Sequence, residues 1–327
     1  MAIWTVGWKV PGLGSLTIAP EGPSFLGGHD TRGPLEKICL FSSFSNLRQL
    51  RKLNIEAYSV DLNFLVQLSS LPHLAELQVV ITQTDKHQKR QAQIAFPSLK
   101  SLHINAHISL MPHILRLIRQ GSLTSLTYRD TSDKDVTDLV GFVQAFHVEI
   151  AFRFPSLTSL ILFHSQHRLA DWKTLRAATE PLYDLSKLQK IIYHGTLCLD
   201  NDDIEHRFAT SWPEIRLIHI MSLWETSLTY GILATLAKHC PHLTDLALPI
   251  TFPEWDSPLR DGGVFSHRLR TFRAIGTRVH CYASVAHYLD RLFPFLVSVK
   301  GGEGWGQVES IILKACQPAR RDQRLRG

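Results

Sequence analysis

The sequence predicts an α/β solenoid, a stack of parallel strands joined by helical crossovers. Three observations carry that expectation: a short motif that recurs along most of the chain, a nearly constant spacing between its copies, and amphipathic stretches between them. The motif is clearest in Phe96-Pro97-Ser98-Leu99-Lys100-Ser101-Leu102-His103-Ile104 and again in Phe154-Pro155-Ser156-Leu157-Thr158-Ser159-Leu160-Ile161-Leu162. Looser copies begin at Leu71-Pro72-His73-Leu74, Trp212-Pro213-Glu214-Ile215, Cys240-Pro241-His242-Leu243 and Phe293-Pro294-Phe295-Leu296. Each reads apolar-Pro-x-Leu-x-x-Leu-x-Leu, with Ile, Val or an aromatic sometimes in place of Leu. Strand starts fall at Leu50, Leu74, Leu99, Leu123, Leu157, Leu188, Ile215, Leu243, Leu269 and Leu296, about 27 residues apart on average. Repetition at that period signals units that bury their apolar faces only against their neighbours.

The elements follow in order. Residues 1–34 are rich in Gly and Pro and read as an irregular N-terminal segment or cap, in which Leu13, Leu16 and Ile18 mark an imperfect first strand. Leu35, Ile38 and Leu40 continue the pattern, and Leu50, Leu53 and Ile55 open the regular array. Within each strand the side chains alternate, so Leu102 and Ile104 point inward while Ser101, His103 and Asn105 point outward. Parallel neighbours need a crossover, and the intervening stretches supply helices at Asp61–Leu71, Ser109–Arg119, a segment through Val136 to Phe146 capped by Ser132 or Asp133, Thr226–His239 and Cys281–Leu292. Asp171–Leu185 is expected to end or kink at Pro181. Proline biases the residue before it to extended backbone, so each apolar-Pro pair stops a helix and launches a strand. The repeat domain spans 35–300. A Gly-rich break at Gly301–Gly306 leads to a capping helix over Val308–Cys316 and a basic tail, together 301–327.

The bulk composition narrows the function classes. An apolar fraction of 44% is ample for a core. Lys plus Arg number 35 against 29 Asp plus Glu, a net of +6, part of which is the tail Arg320–Arg326. No stripe of cations marks a nucleic-acid face. The five cysteines are odd in number and scattered without a C-x-x-C pair, which favours free thiols in a reducing compartment. No window approaches a membrane span, no signal peptide is apparent at Met1–Lys9, and no N-x-Ser/Thr sequon occurs. The expectation is an intracellular protein, cytoplasmic or nuclear, with no membrane and no nucleic-acid partner.

The long array of Leu-x-x-Leu-x-Leu strands, covering Leu35 to Val299, resembles the leucine-rich repeat proteins. The loop Asn typical of the extracellular type is not regularly placed. The helical crossovers with Phe-Pro-x-Leu or Cys-Pro-x-Leu starts look like the intracellular repeats of F-box/leucine-rich proteins abundant in mushroom-forming fungi. The ending Val285-Ala286-His287-Tyr288-Leu289-Asp290-Arg291-Leu292-Phe293-Pro294, followed by a Gly/Trp loop, is similar too. The resemblance implies an α/β leucine-rich-repeat solenoid, a horseshoe with a parallel concave sheet and helices on the convex side. It also implies substrate selection for an F-box type ubiquitin ligase. In that family an N-terminal F-box beginning Leu-Pro-x-Glu docks on a cullin-ligase adaptor. No such segment stands in residues 1–34, so the adaptor is a partner only if an F-box lies upstream.

The remaining constellations read as structure rather than chemistry. Of the seventeen histidines, His103 with His107 and His164 with His167 have spacings seen in metal sites. On a strand, positions i and i+4 lie about 13 Å apart, too far to chelate one ion, and no Cys or Glu completes either set. His239-Cys240-Pro241-His242 is a copy of the helix-to-strand switch. No nucleophile elbow or phosphate loop occurs, and Asp200-Asn201-Asp202-Asp203 lacks the Gly and closing Glu of a calcium loop, so acids at a helix start are read as capping. No catalytic residue, metal or cofactor is assigned, and the chain is not expected to be an enzyme.

Function then falls to the outward strand positions. Those expected to bind a protein partner are His103, Asn105, Arg129, Phe163, Ile192, His194, His219, Met221 and Arg273, with apolar Phe163, Ile192 and Met221 forming a patch. Two alternatives stay open: a loop covers some of them, or a one-residue slip inverts the face. A ligase-independent scaffold, or a hydrolase or metal enzyme on the concave face, are the other functional readings.

Overall fold

The computed structural model describes residues 12–18, 47–81, 96–132, 139–164, 172–195, 201–203, 207–222, 228–252 and 266–318. The chain forms two compact units, Met1–Leu157 and Thr158–Gly327. Each is an array of parallel strands in sequence order with helices between them. The fold class is the one the repeats predict, an α/β leucine-rich-repeat solenoid.

The first unit holds β1 (Ser15–Thr17), β2 (Lys52–Val60), β3 (Glu76–Ile81), β4 (Ser101–Ala106) and β5 (Ser125–Asp130). Its helices are α1 (Leu62–Leu68), α2 (Met111–Arg116) and α3 (Leu139–Arg153). β1 pairs directly with β2, so the sheet passes from the Leu16 copy to the Leu53 copy with no strand between. The further copy expected at Leu35–Leu40 lies outside the described residues. Asp61 caps α1 by accepting from the Phe64 N–H at 2.8 Å. The Ser132 Oγ accepts from the Ile108 N–H at 3.0 Å and donates to the Asp130 carboxylate, and the residues it is expected to cap lie outside the described ones. α3 runs past the expected Phe146 to Arg153 and packs Phe146 on Tyr128, ring centroids 4.9 Å apart.

The second unit holds β6 (Ser159–Phe163), β7 (Lys190–Gly195), β8 (Leu217–Ser222), β9 (Asp245–Leu248), β10 (Thr271–Ala274) and β11 (Ser298–Lys300). Between them lie α4 (Trp172–Thr179), α5 (Asn201–Asp203), α6 (Ala209–Ser211), α7 (Ile232–His239), α8 (Tyr282–Leu292) and α9 (Trp305–Ile311). Pro181 ends α4 as expected, and the chain continues as a 3-10 turn over Glu180–Asp184. α7 starts later than the periodicity suggests. Thr229 bridges Thr251, with Tyr230 N–H donating to the Thr251 carbonyl at 3.1 Å, which keeps Leu228 and Thr229 out of the helix. The terminal helix starts earlier than expected because Gly304, at φ 86°, turns the chain so that Trp305 is buried; it closes as a π-helix over Ile312–Cys316.

The recurring motif has one mechanical explanation. The residue before proline takes the last helical hydrogen bond, as from Phe154 to Ile150 (2.9 Å) and from Cys240 to Leu236 (2.9 Å). Its backbone then leaves the helical region: φ and ψ are −120° and 69° at Trp212, −115° and 65° at Cys240, and −129° and 69° at Phe293. A β-turn follows with proline at its second position. The strand leucine closes it by donating to the carbonyl three residues back, at 3.0 Å for Leu157, 3.1 Å for Ile215, 3.1 Å for Leu243 and 3.2 Å for Leu296.

Within each unit a strand joins its neighbour through one carbonyl that accepts two successive N–H groups. Arg51 accepts from Ala75 and Glu76, Lys100 from Thr124 and Ser125, Gln189 from Arg216 and Leu217, and Thr244 from Arg270 and Thr271. The strand leucines Leu50, Leu74, Leu99, Leu123, Leu157, Leu188, Ile215, Leu243, Leu269 and Leu296 are all fully buried, at 0% exposure. Inward residues such as Leu102, Ile104, Leu160 and Leu246 line the same core, each contributing about 1.5–3 kcal/mol by leaving water. Among the described residues the inward row is buried and the outward row, Ala247 apart, is at least partly exposed, so the described helices of each unit lie on the inward side of its strands.

Candidate functional site

The open face is a grid fixed by strand register. In the first unit, Lys52, Glu76, Ser101 and Ser125 stand side by side in one row; Asn54, Gln78, His103 and Thr127 form the next, and Val80, Asn105 and Arg129 the third. The Lys52 ammonium pairs with the Glu76 carboxylate at 2.8 Å. Apart from Val80, these rows are polar.

In the second unit the rows change character. The first runs Ser159, Lys190, Leu217, Asp245, Thr271, Ser298. The second runs Ile161, Ile192, His219, Ala247, Arg273, Lys300, and the third carries Phe163, His194 and Met221. Apolar side chains therefore gather on β6 to β8, and cations gather on β10 and β11. Arg273 and Lys300 form no ion pair with any described residue.

All nine residues singled out from the sequence lie on outward rows. His103, Asn105 and Arg129 belong to the first unit, where His103 neighbours Thr127 and Asn105 neighbours Arg129. Phe163, His194 and Met221 share one row of the second unit, and Ile192, His219 and Arg273 share another. None is buried. The alternation is in register, so a one-residue slip is not what the structure has.

Sequence reading missed Lys190, Leu217 and Asp245, which stand in the row nearest the strand starts. Aligning the copies on the strand leucine would have found them, since each lies two residues after it. His267 was also missed, because its copy has no proline and so no visible motif.

The electrostatics follow from partial burial. Burial lowers the pKa of His194, whose ring leans on Phe163. Burial also lowers that of His219, as do Arg273, His194 and Lys190, while Asp245 opposes them. Both imidazoles are therefore neutral at neutral pH and extend the apolar area rather than add charge. Asp245 accepts from the Thr244 hydroxyl at 2.8 Å.

The other constellations resolve into structure. His107 caps a 3-10 turn and contacts Ser109 at 2.8 Å; His167 lies outside the described residues. Asp203, buried, pairs with Arg176 at 2.6 Å, and the Asn201 amide bonds Thr229. The acidic cluster thus ties two crossovers together, a role beyond the helix capping expected of it. Burial pushes the Cys240 thiol up to about 12, so it stays protonated. Among the described residues no group of three or more His, Cys, Asp or Glu is arranged to hold a metal ion, and no helix is long and apolar enough to cross a membrane.

No family profile and no curated protein matches the chain. Among solved structures it is similar to an internalin from Listeria monocytogenes, with a TM-score of 0.42 and 15% identity over 79% of this chain and 76% of that one. It is also similar to a TDR receptor, with a TM-score of 0.38 and 12% identity over 80% of this chain and 44% of that one. The chain spans less than half the length of the second.

Proposed function

We propose that the chain is a protein-docking module without catalytic chemistry, and that the outward rows of its strands make the contact. The residues assigned to it are His103, Asn105 and Arg129 on the first unit and Phe163, Ile192, His194, His219, Met221 and Arg273 on the second. One observation carries the reading: Ile161, Phe163, Ile192, Leu217 and Met221 stand together on the outward face of the sheet, each partly exposed among the described residues. Apolar area left in water on a face that alternation would allow to be polar marks a contact. The test is capture of selected binders by the full chain and by Ile192→Asp; unchanged capture rejects the face.

Within this reading, a substrate-selecting role in an F-box type ubiquitin ligase rests on the resemblance of the repeats to that family. Purifying the product of the gene extended upstream, from its own cells, should recover cullin adaptor subunits. Their absence when an F-box is present rejects the role. The free thiol of Cys240 supports a cytoplasmic or nuclear setting.

A further inference from the structure

We infer that the segment docked on the second unit is an extended peptide carrying carboxylates at one end and bulky apolar side chains at the other, lying across the strands. The inference rests on the docking reading above and adds the chemistry of the partner.

Charge and order on the grid carry it. Along the middle row the face changes from Ile161 and Ile192 through His219 and Ala247 to Arg273 and Lys300. Lys190, Arg273 and Lys300 are the cations of these strands' outward positions, Asp245 is their one acid, and Asp245 already accepts from Thr244. The two imidazoles add no charge at neutral pH. The face is therefore cationic at the β10–β11 end and mainly apolar at the β6–β8 end, where Lys190 is the one cation of the outward positions.

Ala247, the small residue between His219 and Arg273 in this row, is itself buried, so the partner's contacts fall on the side chains to either side of it. Strands lie about 4.8 Å apart, so Ile192 on β7 and Arg273 on β10 are separated by about 14 Å, the reach of about four residues of extended chain at about 3.3 Å each. The apolar anchors and the carboxylates of the partner should accordingly be separated by about four residues. A guanidinium is well suited to the carboxylate end because it binds both oxygens at once.

The experiment selects a phage-displayed library of random peptides of about twelve residues on the full-length chain. Selected peptides are then measured by fluorescence anisotropy against wild type, Ile192→Asp, and Arg273→Glu with Lys300→Glu. The expected result is a consensus of acids and apolar residues about four positions apart, at least tenfold weaker on either variant. Replacing the acids of the peptide with lysine should restore binding to the Arg273→Glu, Lys300→Glu protein, which also shows that this variant is folded. Peptides that need Ile192 but lack acids, or that ignore the charge reversal, overturn the partner chemistry and leave the docking reading standing. Peptides indifferent to every outward substitution overturn both. Arg273-dependent capture of labelled oligodeoxythymidylate, in preference to the peptides, overturns the assignment of a peptide.

Discussion

His267 reaches back one repeat to the carbonyl of Cys240, with Nε2 at 2.7 Å. On its other side Nδ1 accepts from the Leu269 N–H at 3.1 Å. In the copies that carry proline, the strand leucine donates to the carbonyl three residues back; here the imidazole takes that donor. The two bonds fix one neutral tautomer, with the proton on Nε2. Protonating Nδ1 would set two donors against each other.

That arrangement gives the molecule a defined acid response. Burial lowers the pKa of His267 below its ordinary 6.5, with the bond to Cys240 opposing the shift, and burial lowers His194 and His219 as well. A depressed histidine binds its proton more readily in the unfolded chain. The stability it supports is complete above about pH 6.5 and is lost as pH falls through the folded values. Urea midpoints should therefore fall steadily from about pH 7 to pH 5. His267→Gln should lower stability by about 1–3 kcal/mol at neutral pH and flatten that slope.

The turn and the core differ in what they contribute. Pro241→Ala keeps the turn bond of Leu243 and mainly frees the unfolded chain, so a loss of about 0.4–1 kcal/mol is expected. Leu243→Ala empties a fully buried site and should cost about 2–5 kcal/mol. Equal losses in chemical denaturation would show that proline does more than restrict the backbone.

Gly195 ends β7 at φ 141°, and a Cβ there would lie 2.8 Å from the Cβ of His164. Gly195→Ala meets both an unfavourable backbone and a neighbour that must shift, and a loss of about 1–3 kcal/mol is expected. Differential scanning calorimetry of the variant checks it; an unchanged midpoint would mean that His164 gives way freely.

The ring of Phe163 stands 4.6 Å from that of His194, centroid to centroid and inclined at 55°. Phe163→Ala opens the imidazole to water, so the His194 pKa should rise toward its ordinary 6.5. Titration of the ring resonances by NMR measures the shift. A pKa that stays depressed would place the burial of His194 on other neighbours.

The strands and their inward leucines were legible because burial imposes a period of two and the spaced leucines recur along most of the chain. Helix ends were less legible, for reasons that are local. The Thr229–Thr251 bridge delays α7 through a partner in the next repeat, and Gly304 advances α9 through a left-handed backbone that hydrophobic periodicity does not register. The outward face was legible one strand at a time. Its apolar-to-cationic order was not, since it exists only across strands, where Ile192, His219, Ala247 and Arg273 come together from four separate repeats.

The paired N–H donors that meet one carbonyl at each strand start assign the joint between repeats to the main chain. Arg51, Lys100, Gln189 and Thr244 perform this task with their peptide groups, whatever their side chains are. Substitutions on the open face leave that joint intact, so the surface can diverge without weakening the stack. On the proposed docking role, recognition and cohesion are thus separately heritable properties of the same strands, and residues such as Ile192 or Arg273 can change without cost to the stack.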